Sequence, residues 1–160
     1  MTDMGDGSYT ASYSVPGATT GDKWSLTADI ITGNGLYVEY WNNNTLSGVP
    51  VLAQVEDSDM NYNFGGRNVT PTQSDNTSVR WSAYLEPDYS ENYNFNFNYD
   101  ERIAMWLDQD LKIDNNVKNN VENYQIDLQA GRLYSYRQEL EEDTGGAKAT
   151  VKWESASQIK

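Results

Sequence analysis

Between positions 92 and 99 the chain alternates without a fault. Asn92, Asn94, Asn96 and Asn98 hold one phase, and Tyr93, Phe95, Phe97 and Tyr99 hold the other. Successive side chains leave a pleated backbone on opposite sides, so a period of two predicts a strand with one buried and one wet face. A helix would need apolar residues every three or four positions instead. The same period returns in Leu36, Val38 and Tyr40, in Val79, Trp81, Ala83 and Leu85, in Ile103, Met105 and Leu107, and in Ala149, Val151 and Trp153. Turn-forming clusters separate these runs at intervals of about 8–12 residues, as in a sandwich or barrel. No helical period lasts beyond a turn. The expected fold class is therefore all-β, an antiparallel β-sandwich or barrel-like domain. Val79, Trp81, Phe95, Phe97, Ile103, Met105, Leu107, Leu133 and Val151 are expected in its core.

The first 32 residues read differently. Tyr9, Ala11, Tyr13 and Val15 alternate, Pro16-Gly17 through Gly21-Asp22 break the run, and Trp24, Leu26, Ala28 and Ile30 alternate again. Two such runs about a Pro/Gly turn predict a β-hairpin over residues 5–31. A lone hairpin is marginal in water, so it calls for a partner sheet. Gly33-Asn34-Gly35 then punctuates the chain, giving two regions: 1–32, a hairpin, and 33–160, the sandwich. Residues 57–80 are rich in Asn, Asp, Thr and Gly and are expected to be irregular with brief strands.

The side-chain inventory narrows the chemistry. With no His and no Cys, the usual general base, the thiol nucleophile and the common zinc ligands are all missing. A formal charge of −13 argues against binding to a phosphate backbone by bulk charge, so no nucleic-acid partner is expected. No apolar run approaches the roughly 18 residues of a spanning helix, and no membrane insertion is expected. Carboxylates without His suit calcium better than zinc. No nucleophile motif or phosphate loop marks an enzyme, and none is expected.

Several phrases then fall in order: Gly35-Leu36 with Glu39-Tyr40-Trp41, Leu46-Ser47-Gly48, Ser78 through Leu85, Tyr93-Asn94-Phe95, Met105-Trp106-Leu107-Asp108, Leu111 through Asn115, Leu128 through Tyr134, and Gly145-Gly146 ahead of Val151-Lys152-Trp153. Together they resemble the fourteen-kilodalton domain first recognised in anthrax protective antigen, which is shared by toxins, glycosidases and flocculin-type adhesins. The resemblance covers residues 33–160. Within the leader, Gly5-Asp6-Gly7-Ser8-Tyr9 and Gly21-Asp22-Lys23-Trp24 weakly resemble the end of a filamin-type immunoglobulin-like repeat, which implies the tail of an upstream domain.

The resemblance also implies a site. In sugar-binding adhesins of this family, two adjacent Asp residues joined by a cis peptide hold calcium after the strand corresponding to Tyr93–Tyr99. Here that place reads Asp100-Glu101-Arg102. Asp100 matches the first Asp, Glu101 replaces the second with an arm one methylene longer, and Arg102 stands where a small residue is usual. The last hairpin of those adhesins supplies further ligands. The implied calcium set is thus the side chains of Asp100, Glu101 and Asp143 with backbone groups of Gly145 and Ala147. Against it, Arg102 could pair with Asp100 or Glu101 and take the cation's place. The candidate carbohydrate contacts are Arg102, Trp106 and Trp41. Alternation offers Tyr84, Tyr89 and Tyr136 as further aromatic platforms.

Other motifs carry less. Asp57-x-Asp59-x-Asn61 opens like an EF-hand loop but has Tyr62 and Asn68 where Gly and Glu are required. Three glycosylation sequons are what chance provides in a chain with 17 Asn. The functional expectation is a non-catalytic carbohydrate-binding or adhesion module of a larger surface protein, with calcium as the candidate cofactor and a glycan as partner. The alternative is a protein-interaction or spacer module that binds neighbouring domains. An extracellular or cell-surface location follows from the resemblance only.

Overall fold

The computed structural model describes residues 2–3, 9–10, 35–57, 59–117 and 120–158. The chain divides into two compact units, Met1–Ile31 and Thr32–Lys160. In the first, strand β1 (Thr2–Asp3) pairs antiparallel with β2 (Tyr9–Thr10). The hairpin expected over residues 5–31 pairs other segments and, apart from Tyr9 and Thr10, lies outside the described residues.

The second unit holds ten strands: β3 (Gly35–Trp41), β4 (Leu52–Asp57), β5 (Asn61–Gly65), β6 (Thr77–Leu85), β7 (Glu91–Tyr99), β8 (Arg102–Leu107), β9 (Asp110–Asn116), β10 (Asn120–Leu128), β11 (Tyr134–Glu142) and β12 (Ala147–Glu154). No helix occurs among the described residues. A six-stranded sheet runs β4-β3-β6-β11-β8-β9 and a four-stranded sheet runs β10-β7-β12-β5. Every pairing is antiparallel. The two sheets form the expected sandwich. Residues 57–80 hold the ends of β4 and β6, the short β5 and an irregular loop, as their composition predicts.

Period-two sequence becomes burial directly. Tyr93, Phe95, Phe97 and Tyr99 are buried, whereas Asn92, Asn94, Asn96 and Asn98 lie on the outer face. Val79 and Trp81 from β6 meet them from the other sheet, with Ile103, Met105 and Leu107 from β8. Tyr62 of the four-stranded sheet packs its ring on Trp81 of the six-stranded sheet, centroids 5.0 Å apart. Trp153 lies 5.1 Å from Tyr93 and 5.9 Å from Phe95. Aromatic pairs at such distances add to the area they bury.

Two expected core residues differ. Leu133 is 58% exposed, because β11 begins at Tyr134 and sends Tyr134, Tyr136, Gln138 and Leu140 inward. Leu133 has the opposite phase to that set and ends in the preceding turn. Val151 is half-buried, packed on the rim of the core.

One polar group joins the two sheets at their β4 and β5 edges. Glu56 accepts hydrogen bonds from the Tyr40 hydroxyl at 2.7 Å, the Tyr62 hydroxyl at 2.9 Å and the Gln54 amide at 2.8 Å. Tyr40 belongs to the six-stranded sheet and Tyr62 to the four-stranded one. Burial, then the Glu56 carboxylate beside each ring, pushes both hydroxyls well above the usual tyrosine range.

The strand ends define two poles. One gathers Trp41, Leu52, Thr77, Tyr99, Arg102, Glu142 and Ala147 with their connecting loops. The other gathers Gly35, Leu85, Glu91, Leu128, Tyr134 and Glu154. The sandwich therefore starts and finishes at the same pole, opposite the Asp100–Glu101 turn.

Candidate functional site

The site residues implied by resemblance can be placed from this frame. Asp100, Glu101, Arg102, Asp143, Gly145, Ala147 and Trp41 share the first pole. Trp106 does not. It sits four residues along β8 from Arg102, on the outer face of the six-stranded sheet.

Asp100 and Glu101 carry the chain from one sheet to the other. The Asp100 N–H donates to the Lys148 carbonyl at 3.0 Å, which ties the turn to β12. Its carboxylate accepts the N–H of Glu101 at 3.0 Å. Glu101 takes a left-handed backbone, φ 65°, and is only 4% exposed. Such a conformation costs a residue with a Cβ about 1–2 kcal/mol. No cis peptide occurs among the described residues, so the Asp100–Glu101 bond is trans, unlike the adhesin pattern.

Arg102 draws its ion-pair partners from neighbouring strands. It is the first residue of β8 and points to the outer face, where strand register supplies different carboxylates. Its guanidinium meets Glu141 of β11 on one side and Asp114 of β9 on the other, at 2.8 Å. Partial burial pulls its pKa down, but Glu141 and Asp114 outweigh this and hold it above the usual value.

The β11–β12 loop is committed elsewhere. The Asp143 carboxylate accepts from the Asn44 amide, and its carbonyl accepts the Asn76 N–H at 2.8 Å. The Gly145 N–H, at a φ of 110° that suits glycine, donates to Asp75 at 2.9 Å. Nearby, Thr70 donates to Asn42 at 2.6 Å and Ser78 donates to the Asn43 carbonyl at 2.7 Å. The loops after β3, β5 and β11 are thus knitted together by short polar side chains. Ala147 is buried where β12 opens against β5.

Among the described residues, no three acidic side chains converge as a cation site. Asp100, Glu101 and Asp143 do not form the cradle that the adhesin pattern implies. One carboxylate folds onto its own turn, one is turned inward, and one is spent on the neighbouring loop. The donor set does not fit calcium as a three-carboxylate site.

The aromatic candidates divide as well. Trp41 is 3% exposed, because its indole N–H donates to the Gly48 carbonyl at 3.1 Å and Arg80 lies over its ring at 5.2 Å. It offers no stacking platform. Tyr136 is buried too, with its hydroxyl donating to Gln138. Tyr84, at 68%, and Tyr89 are exposed. Trp106 is half-buried, with the Arg137 guanidinium stacked 3.9 Å over its ring.

That last contact ends a network that sequence reasoning missed. Arg80 pairs with Glu139 at 2.8 Å and with Glu39 at 3.7 Å, and Arg137 lies 3.7 Å from Glu139. Glu39, Arg80 and Glu139 are direct cross-strand partners on β3, β6 and β11. The network runs across the outer face from Trp41 to Trp106. Its only signal is register between strands up to 100 positions apart in the chain, which one-strand periodicity does not carry.

A family model for the PA14 domain matches residues 33–160. The chain belongs to the PA14 domain family. The resemblance drawn from the ordered phrases is borne out over the same span. Anti-sigma-I factor RsgI3 of Acetivibrio thermocellus is 35% identical over 156 residues, which covers 89% of this chain and 24% of that protein. The match takes in more than the PA14 domain alone supplies, and the chain spans about a quarter of that relative's length. The solved structure of an anti-sigma factor domain-containing protein from Clostridium clariflavum superposes with a TM-score of 0.69 at 32% identity, covering 78% of this chain and 43% of that one. The Epithelial Adhesin 9 A domain of Candida glabrata, solved in complex with Galb1-4GlcNAc, shares the fold. Its TM-score is 0.63 at 10% identity, over 80% of this chain and 84% of that one.

Proposed function

We propose that this PA14 domain is a non-catalytic carbohydrate-recognition module carried by a larger protein. The observation that carries the reading is one of extent. The sandwich shares its fold with an adhesin domain that was solved with a disaccharide and corresponds to 84% of that domain, which supports reading it as a self-contained recognition module. The relative named as an anti-sigma-I factor supports placing the module in a regulatory protein as readily as in an adhesin. In either setting its task is recognition at a surface. Catalysis is left out, because the chain has no His, no Cys and no nucleophile motif.

Recognition in this reading does not depend on calcium. The dispersal of Asp100, Glu101 and Asp143 supports that, as does the guanidinium of Arg102 beside the turn. The same observations favour a second reading, a protein-interaction or spacer module.

A glycan and polysaccharide array, read with calcium and with a chelator, separates the two. The expected result is binding that survives chelation, with a melting temperature that millimolar calcium leaves unchanged. A cation held at 100 times its dissociation constant would stabilise the domain by about 2.7 kcal/mol, which a melting curve resolves. A calcium-dependent rise abolished by Asp100→Asn would restore the metal. A blank array would remove the carbohydrate reading and leave the interaction module.

A further inference from the structure

The outer face of the four-stranded sheet has a composition that folding does not require. Read across its strands, one row is Asn92 beside Asp127, and the next is Glu154, Asn94 and Gln125. Then come Lys152, Asn96 and Asn123, then Asn61, Thr150, Asn98 and Val121, and finally Asn63 beside Lys148. Eight of these fourteen positions are amides, and none is aromatic. Asn is disfavoured in strands, and a merely wetted face is served better by Thr, Lys or Glu. Where a sequence breaks a local folding rule over a whole face, function is a place to look.

The amides are also held in a regular array. Asn94 and Asn96 both donate to the Asn123 oxygen, at 3.3 and 2.9 Å, and Asn92 donates to Asp127 at 2.9 Å. The side chains of Asn61, Asn63, Asn98 and Gln125 make no hydrogen bond to other described residues. Each amide carries two donors and an acceptor, so apart from the buried Asn94 oxygen the face presents both kinds of group at the spacing of a β-sheet.

Charge selects the partner. The chain as a whole carries −13, yet on this face Lys148 and Lys152 balance Asp127 and Glu154. A polyanion would meet the repulsion of the whole molecule with no basic patch to offset it. With no aromatic ring on this face, recognition here would go through hydrogen bonds and not through stacking. An uncharged chain of hydroxyls matches the amides group for group. We infer that the amide array on β5, β7, β10 and β12 is a docking surface for an extended, uncharged polysaccharide. The inference rests on the carbohydrate reading above and adds the place and the ligand class.

The test is retention of the full 160-residue chain in gels containing mixed-linkage β-glucan or galactomannan, with polygalacturonate as the acidic comparison. The variant is Asn94→Thr, Asn96→Thr and Asn123→Thr together, set against Asp100→Asn at the loop pole. Thr favours strands, so the triple variant is expected to melt at the same temperature or higher while its affinity for a neutral polysaccharide falls at least tenfold. Asp100→Asn is expected to bind as the parent does. Parent-like binding by the triple variant, with loss in Asp100→Asn, would overturn this inference and leave the carbohydrate reading standing. Stronger retention by polygalacturonate than by either neutral polymer would also overturn it. So would a dimer in sedimentation that the triple variant breaks, since the face would then belong to a second copy. Absence of retention by every polysaccharide would overturn the inference together with the reading beneath it.

Discussion

Glu56 is the residue on which the closure of one sandwich edge depends. Its carboxylate takes two tyrosine hydroxyls from opposite sheets and the Gln54 amide. Hydrogen bonds to an ionised acceptor exceed neutral ones in strength. Glu56→Gln keeps the shape but removes the charge, and turns one acceptor into a donor facing a hydroxyl. The expected cost is about 1–3 kcal/mol, read as a lower midpoint in urea with an unchanged slope. A variant as stable as the parent would show that water satisfies the two hydroxyls equally well. Glu101 offers a contrast. It is more buried than a turn glutamate usually is and it has a left-handed backbone. Its neighbours in sequence point to a ligand site, yet its place in the structure is that of a buried joint between sheets.

At the scale of elements, the β8–β9 hairpin shows what local sequence does and does not specify. Leu107 pairs with Asp110, leaving a two-residue turn of Asp108 and Gln109, both at positive φ. A turn with both central residues left-handed prefers Asn or Asp first and Gly second. Asp108 suits its position, and its carboxylate accepts from the Ser135 N–H at 3.0 Å and from Arg132. Gln109 does not suit its own. Gln109→Gly is expected to stabilise the domain by about 0.5 kcal/mol, the relief of a left-handed side chain less the added freedom of the unfolded glycine. A fall in melting temperature would show that Gln109 makes a contact worth more than its strain.

The strands were legible because each burial pattern lies within one run of residues. The phase of β11 was harder, since Leu133 and Leu140 sit at odd spacing and only pairing with β6 and β8 decides between them. The site was less legible still. Arg102 takes its partners from β9 and β11, and Trp41 disappears beneath Arg80 of the next strand. The Asn phase of β7 was plain in the sequence. Its meaning emerged only when β10, β12 and β5 brought more amides alongside.

Across the whole molecule, tyrosine links the interior to solvent pH. Burial and the Glu56 carboxylate raise the hydroxyls of Tyr40 and Tyr62, and burial alone raises that of Tyr136. An unfolded tyrosine ionises near pH 10. Above that pH the unfolded chain loses protons that the folded one retains, so stability is fully present below about pH 10 and falls as pH rises further. Phenolate absorbance is therefore expected to grow in two stages, the later coinciding with loss of the near-ultraviolet aromatic signal. A single reversible stage near pH 10 with the fold intact would contradict the buried hydroxyls.

The sandwich also begins and finishes at one pole: β3 starts at Gly35 and β12 finishes at Glu154, both away from the knitted loops. Domains whose two ends lie together can be spliced into another protein as a side branch, since the host chain need not stretch to span them. Both attachment points then sit on the stem side. The knitted loops lie at the pole away from both ends, and the amide face runs between the two poles along the four-stranded sheet.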